Sequence, residues 1–435
     1  MAAAGQMLKG AALYRGIWFD KPPLWAAYYL LSGARPGWPV RLEGACYWLL
    51  CCWIVYAFGR DLWSRREGVW AAALLGFFSV FYLPAAVIPV ASDLLMLAPH
   101  VAAVWMAWKR RALWSGVLAG IAFWINPKGV FVLAACLLWY PAGALAIAAG
   151  FAVVSGLALA YLWATGSVYP FWQEVWVWGR LYASDTFISR PVWNGIGRTL
   201  NWAGFHIAAV VAAIYSVARQ RRAKPHANEP SSVLWIGWAV IAFAGVAAGL
   251  RFFPRYYFLL LPIVILMAAR GFTLLGRRAV WVALLLAIPL VRFAPSYARA
   301  WNDPEWRDVQ MDRDSHAAAV VVGKLSRPGD TLLVWGYRPE IFPYTGLRAA
   351  TMFLDSQPLS GVPADRHLTD STPVETVNAA RLRAELTTSR PTFIVDGIAA
   401  FNPRLSIDRY PELAPWLGQY QLAARTTETL IYKRK

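Results

Sequence analysis

An acid, a base and two prolines stand together at Asp20-Lys21-Pro22-Pro23-Leu24, just ahead of a long apolar stretch. Pro22 and Pro23 fix φ and remove backbone donors, so the charged pair sits on a stiff corner. Charges beside a bilayer are either interface anchors or parts of a functional site. Further along, Asp93, Lys128, Arg251 and Arg255 each fall at the end of an apolar run. Alone, each has a plain structural reading. Asp93, after Ser92, reads as a helix cap, Lys128 as a snorkelling side chain, and the two arginines as anchors. Together, acids and cations on one side of a bundle suit an anionic headgroup. Cations neutralise a phosphate leaving group, Arg bidentately and Lys as a point charge. A carboxylate takes the proton of an attacking hydroxyl. The chemistry such a set serves is transfer from a lipid phosphate, with the lipid tail lying between helices.

The elements that would position these residues are membrane helices. The chain has 435 residues, of which 58% are hydrophobic, and a mean hydropathy of +0.42. That is too apolar for an ordinary soluble protein and points to a polytopic membrane protein. The 25 Trp residues suit two interfacial aromatic belts. The net charge of +18 sits in short loops between apolar runs rather than in a basic soluble module, which argues against nucleic acid as a partner. Cys46, Cys51, Cys52 and Cys136 fall inside apolar runs and read as small buried hydrophobes. His100, His206, His226, His316 and His367 show no metal-ligand spacing. No cofactor is legible, and a divalent metal stays open. Residues 1–20 lack the uninterrupted apolar core of a signal peptide.

Apolar periodicity predicts about ten membrane helices, at 42–59, 67–89, 93–108, 112–126, 129–140, 141–165, 201–218, 233–250, 255–270 and 279–294. The pair 112–126 and 129–140 reads as two half-helices meeting at Asn126-Pro127-Lys128-Gly129. Such a break is tolerated only inside protein or beside a watery cavity. Gly116 and Gly120 form a GxxxG, a helix-packing feature with no catalytic meaning. Basic residues cluster at 60–66, 109–111, 219–224 and 270–278. The positive-inside rule then places residues 1–41, 166–200 and 295–435 outside the cytoplasm. Asp20, Lys21, Asp93, Lys128, Arg251 and Arg255 all emerge at that outer surface. After 295 long apolar runs stop. Thr331-Leu332-Leu333-Val334-Trp335 and Thr392-Phe393-Ile394-Val395-Asp396 read as buried strands, 313–325 and 374–386 as amphipathic helices, and 419–432 as a terminal hairpin. The expected organisation is an external loop at 1–41, a membrane bundle at 42–294 and a small α/β extracytoplasmic domain at 295–435. The turn Trp335-Gly336-Tyr337-Arg338 reads as a packed strand end or as a place for a sugar to stack.

The motifs, in order, resemble a known family. Met7-Leu8-Lys9-Gly10 through Tyr14, then Lys21-Pro22-Pro23-Leu24, are similar to the first external loop of GT-C-type glycosyltransferases of the protein mannosyltransferase-like and lipid A aminoarabinose transferase-like kind. Ser92-Asp93 resembles that family's second acidic motif, and Gly116 to Gly120 with Asn126-Pro127-Lys128-Gly129 resembles its Lys-Gly segment. Arg251-Phe252-Phe253-Pro254-Arg255-Tyr256-Tyr257 resembles an Arg-to-His-Tyr segment, with Arg255 where His is frequent. Trp335 to Glu340 and Tyr344 to Arg348 resemble a segment of bacterial members. The likeness covers about residues 5–350.

The resemblance implies a GT-C-like bundle and an integral membrane glycosyltransferase of the cell inner membrane, acting in cell envelope glycosylation. The donor would be a polyprenyl-phosphate-linked sugar, and the acceptor a hydroxyl of a lipid, glycan or protein outside the membrane. It implies Lys21 as a ligand of the donor phosphate, with Arg255 and Lys128 beside it, and Asp20, Arg251 and Tyr256 near the site. The family's catalytic Asp falls upstream of Met1, together with a first membrane helix. The base is therefore unassigned, with Asp93 the candidate inside the chain. A truncated noncatalytic member and a lipid-linked sugar transporter or flippase are the alternatives; against transport stand the absence of an internal repeat and the large external domain.

The topology carries a prediction. A periplasmic phosphatase fused after Lys435 should be active and a cytoplasm-dependent fluorescent protein at the same place dark. The reverse pair of signals would invert every loop assignment above.

Overall fold

The computed structural model describes residues 1–80, 90–184, 190–222, 229–302, 307–362 and 378–435. Up to about residue 325 the chain is almost wholly helical, and a small mixed sheet follows. Among the described residues three helical stretches are long and apolar enough to cross a membrane, Trp38–Leu62, Pro141–Ala164 and Leu261–Pro295. Trp38–Leu62 has 25 residues, about 37 Å at 1.5 Å per residue. Only 17% of the apolar window of Pro141–Ala164 is buried in protein, so this helix presents Leu145, Leu157 and Trp163 outward, as lipid contact requires. Cys51 and Cys136 are buried, whereas Cys46 is exposed.

Several expected helices are reshaped by local chemistry. The segment 93–108 is two helices, Ser92–Leu95 and Leu97–Trp108. The span expected at 201–218 begins earlier, as Pro191–Phe205, and turns by 89° into Ile207–Gln220. Pro191–Phe205 is amphipathic, exposing Trp193 and Leu200 while burying Trp202 and Phe205, so its charges hid it from an apolar-run search. Residues 254–259 form a 3₁₀ turn, and the α-helix starts at Leu261 with Pro262 in its first turn. The stretch Leu261–Pro295 turns at Gly276, φ +56°. Tyr257 just before it and Arg292 near its end both meet Pro191–Phe205, through Thr199 at 2.7 Å and Asn201 at 2.9 Å. The helix expected at 67–89 is present as Arg65–Val80, and 81–89 lies outside the described residues.

The half-helix pair is present as Ala112–Ile125 and Gly129–Trp139. Gly129 is required at the reversal, because a Cβ there would overlap the Phe123 and Ala122 backbone. Gly116 and Gly150 serve a different contact. A Cβ on Gly116 would overlap the Ile147 carbonyl, and one on Gly150 the Leu113 carbonyl, so Ala112–Ile125 and Ala144–Ala164 touch backbone to backbone. At the other end of the bundle Arg270 pairs with Glu67 at 2.8 Å and Glu229 at 3.3 Å.

The C-terminal sheet has strands β1 (Thr331–Trp335), β2 (Arg348–Ala349), β3 (Phe393–Asp396), β4 (Tyr420–Arg425) and β5 (Leu430–Arg434) in the order β2-β1-β3-β5-β4. β1 is parallel to β2 and β3, while β5 is antiparallel to β3 and β4. The period of two sorts β1 onto two cores. Leu332 and Val334 face one that includes Leu13, Tyr14 and Ile17 of the N-terminal loop. Leu333 and Trp335 face another with Phe353 and Leu359. Trp335 is fully buried and its indole N–H donates to Leu405 O at 2.8 Å. Arg338 is fully buried against Asp314 at 2.7 Å and Glu428 at 2.8 Å. Trp335 and Arg338 are therefore packed into the junction and Trp335 offers no face for a sugar, while Tyr337 between them is exposed.

Gly116→Val should lower the unfolding temperature in detergent, since overpacking of this kind costs about 1–3 kcal/mol. Gly156→Val is the control, because a Cβ on Gly156 meets nothing within 4 Å. Equal melting of the two variants would remove the close helix contact.

Candidate functional site

The Asp20-Lys21 corner is built by its own loop. Tyr14 takes a left-handed φ of 68°, a conformation that costs a non-glycine residue about 1–3 kcal/mol. It is held there on three sides. Its N–H donates to Ile17 O at 2.8 Å, its hydroxyl donates to Lys21 O at 2.7 Å, and its ring meets Phe171 edge-on at 5.2 Å. Lys21 Nζ then pairs with Asp20 Oδ2 at 2.5 Å. Pro23 opens the helix Pro23–Tyr28, whose Trp25 donates from its indole N–H to Val90 O at 2.9 Å. Tyr29 donates to the same carbonyl at 2.7 Å. Those two bonds fix the corner against the segment that leads into Ser92-Asp93.

Asp93 is at the centre of a second charged group. It does not cap its helix: the cap residue is Ala91, and Asp93 lies in the first turn. Its side chain is 7% exposed and lies 3.6 Å from Lys128 Nζ and 3.7 Å from Arg255 Nε. Asn126, in the break between the half-helices, donates to Ser92 Oγ at 3.2 Å and to Asp93 Oδ1 at 3.3 Å. Its carbonyl oxygen accepts the Lys128 N–H at 3.1 Å, which shapes the turn that aims Lys128. The Lys128 ammonium lies over the Tyr256 ring, 2.8 Å from its centroid, and makes no hydrogen bond among the described residues. Lys21 is close enough for its charge to act on Lys128. The corner and the Asp93 group are thus one electrostatic unit, drawn from four separate stretches of chain. Arg251 is buried, between Leu250 at φ 55° and Phe252 at φ 49°. Arg255 is half exposed.

An apolar groove of about 420 Å³ leads away from this unit. Leu24, Leu95 and Ile125 line it, and in sequence they stand within three residues of Lys21, Asp93 and Asn126 respectively. Ile54, Ala102 and Leu118 continue it along the helices. A second depression of about 830 Å³ shares Tyr28, Leu31, Tyr47 and Leu50 with it.

Two acids that no motif marked have Asp20 as a charged neighbour. Glu174 accepts the Phe19 N–H at 2.8 Å. Burial, helped by the Asp20 charge and opposed by that bond, pushes its carboxyl up to about 9. Asp355, in the loop after β2, accepts the Gln357 N–H at 3.0 Å. Gln6 and Lys9 are also unmarked by chemistry. Gln6 exchanges hydrogen bonds with Leu347 O at 3.1 Å and Ala349 N at 2.9 Å, and Lys9 donates to Gly346 O and Leu347 O at 2.7 and 2.8 Å. The Met7-to-Gly10 and Tyr344-to-Arg348 segments therefore lie against each other. Among the described residues no group of three His, Cys, Asp or Glu is placed to hold a metal ion.

No protein-family model and no curated protein matches the sequence. Solved structures do match in fold. ArnT from Cupriavidus metallidurans bound to undecaprenyl phosphate is similar over 99% of this chain and 92% of its own, with a TM-score of 0.59 at 15% identity. The Archaeoglobus fulgidus oligosaccharyltransferase in complex with Zn and sulfate is similar over 99% of this chain and 68% of its own, with a TM-score of 0.50 at 14% identity. The fold is that of GT-C-type glycosyltransferases.

Asp93→Asn should destabilise the protein by roughly 3 kcal/mol, the cost of leaving a buried partner charge unpaired. Adding Lys128→Met should recover part of the loss. Thermal unfolding of the single and double variants in detergent checks this, and strictly additive losses would show that the two side chains are not coupled.

Proposed function

We propose that this protein is an integral membrane glycosyltransferase that moves a sugar from a polyprenyl-phosphate donor to an acceptor hydroxyl on the outer side of the inner membrane. The observation that carries the reading is a set of cations at the mouth of an apolar groove. Lys21, Lys128 and Arg255 gather where Leu24, Leu95 and Ile125 begin a channel for a lipid tail. A polyprenyl phosphate satisfies both halves, with its isoprenoid chain in the groove and its phosphate among the cations. The fold shared with ArnT bound to undecaprenyl phosphate supports the same donor class.

In this reading residues 1–41 supply the corner, 42–294 a membrane bundle of about ten helices, and 295–435 an extracytoplasmic domain that covers the site. Lys21 turns from Asp20 to the donor phosphate, and Arg255 adds a second, mobile contact from its half-exposed position. Lys128 completes its hydrogen bonding on a phosphate oxygen after a rotation off the Tyr256 ring. Asp93 holds Lys128 and Arg255 together rather than acting as the base, because two cations keep its charge occupied. Arg251 and Tyr256 shape the wall. As the sugar leaves the phosphate, negative charge grows on the phosphate oxygens, and the fixed cations stabilise it most at that point.

Lys21→Ala should weaken binding of undecaprenyl phosphate ten- to a hundredfold, the loss of one charge-assisted contact worth about 1.5–3 kcal/mol. Titration of the purified protein by native mass spectrometry reads this directly, with the unfolding temperature as a check on folding. Unchanged binding would reduce Lys21 to an interface anchor.

A further inference from the structure

We infer that the helix Pro191–Phe205 is a docking surface for anionic phospholipid, lying along the membrane at the level of the headgroups, independently of the polyprenyl-phosphate reading above.

The orientation follows from the helix that comes next. Ile207–Arg222 packs backbone to backbone on Leu261–Leu275, because a Cβ on Gly271 would overlap the Ala212 carbonyl. Leu261–Leu275 opens the apolar stretch Leu261–Pro295, which is long enough to cross a membrane. The two helices therefore cross together. A bend of 89° at His206 then lays Pro191–Phe205 across their ends, along the membrane plane.

The two faces of this helix differ. One is fixed to the protein. The Thr199 and Tyr257 hydroxyls share a hydrogen bond at 2.7 Å, and Trp202 stacks on the Tyr257 ring at 5.1 Å. The Phe252 ring fills the space that a side chain at Gly195 would need. The other face is apolar and uncovered. Val192, Trp193, Ile196 and Leu200 are all exposed, and at 100° per residue they fall within an arc of about 100°. In the membrane plane that stripe rests on acyl chains, as in other interfacial helices.

Charge at both ends of the stripe selects an anionic lipid. The helix carries no Asp or Glu. Arg190, its N-cap residue, is exposed. At the far end Arg292, also exposed, donates from Nη1 to Asn201 Oδ1 at 2.9 Å, and its guanidinium lies 5.9 Å from the Phe205 ring centre. Asn201 takes one of the five guanidinium N–H donors, which leaves a fork for a phosphate. The helix between the two cations is about 15 Å long at 1.5 Å per residue, so each meets its own headgroup. Docking has a consequence on the protein-facing side. Arg198 and Arg255 stand over the same Phe253 ring, each 5.6 Å from its centre. The seat of the helix thereby sets the depth of the segment that carries Arg255 and Tyr256.

The test uses the full chain in nanodiscs of phosphatidylcholine, with or without phosphatidylglycerol. In a Cys46→Ser, Cys52→Ser background, a nitroxide on Trp193→Cys should be relaxed by oxygen and shielded from a water-soluble nickel complex. The reverse pattern puts the stripe in water and overturns the orientation. Competition between the two lipids for the purified protein, read by native mass spectrometry, should favour phosphatidylglycerol. Arg190→Gln and Arg292→Gln should each lower that preference about fivefold, the worth of one cation near an anionic surface. Arg381→Gln, on the surface of the C-terminal domain, should leave it unchanged, and unfolding temperatures check that each variant folds. A wild type without the preference, or a preference that survives both substitutions, overturns the anionic partner. A wild-type dimer that Leu200→Ser dissociates would give the stripe to a second copy of the chain and overturn it as well.

Discussion

Positive charge held at the edge of a bilayer is the constraint on which the rest of this structure depends. Taking an ammonium out of water costs several kcal/mol unless a counter-charge and hydrogen bonds replace the water. Asp93 supplies that counter-charge to Lys128 and Arg255 at once, at 3.6 and 3.7 Å. The distances are those of ion pairs rather than of close hydrogen bonds. Asn126 keeps Asp93 oriented from the break between two half-helices, where backbone polar groups are tolerable because protein surrounds them. The break, the acid and the cations need one another. Without the break there is no place for Lys128, and without Asp93 the place is too costly to fill.

The N-terminal loop works as a layer between the helical bundle and the C-terminal domain. Its apolar residues Leu13, Tyr14 and Ile17 share a core with Leu332, Val334 and Phe393 of the sheet and with Trp124 and Phe171 of the helical part. Burial on both sides lets a short loop hold a strained Tyr14 and a fixed Asp20-Lys21 corner. Loops exposed on one side lack the contacts to do so. The clamp of Gln6 and Lys9 onto residues 346–349 secures the same layer from its other end. The C-terminal domain is therefore a part of the candidate site's architecture and not an appendage.

The carboxyls divide by what surrounds them. Where a cation is within reach, as at Asp20 and Asp93, the acid is a partner. Where burial dominates and only another acid is near, as at Glu174 and Asp355, the proton is held up to or above neutral pH. The chain thus places cation-holding and proton-holding acids around the same corner.

The sequence by itself determined the class of protein, the half-helix break, the strands of the external sheet and the residues with charge to spend. These follow from local rules: apolar runs, proline and glycine at breaks, alternation in strands. Lys21, Lys128 and Arg255 were legible because cations beside apolar runs are costly and so stand out. Tertiary structure alone decided the rest. It decided that Asp93 is shared by two cations rather than capping a helix. It also made Trp335 a core residue, because its neighbours in the fold come from residues 405 and 410, far along the chain. The amphipathic helix Pro191–Phe205 was hidden because half its face is polar, and its 89° turn depends on packing. Glu174, in the helical turn Trp172–Val177, and Asp355, in a loop, were invisible because a single acid at either place carries no local mark. Their character comes only from burial and from Asp20, which contacts across 154 and 335 residues of sequence bring to them.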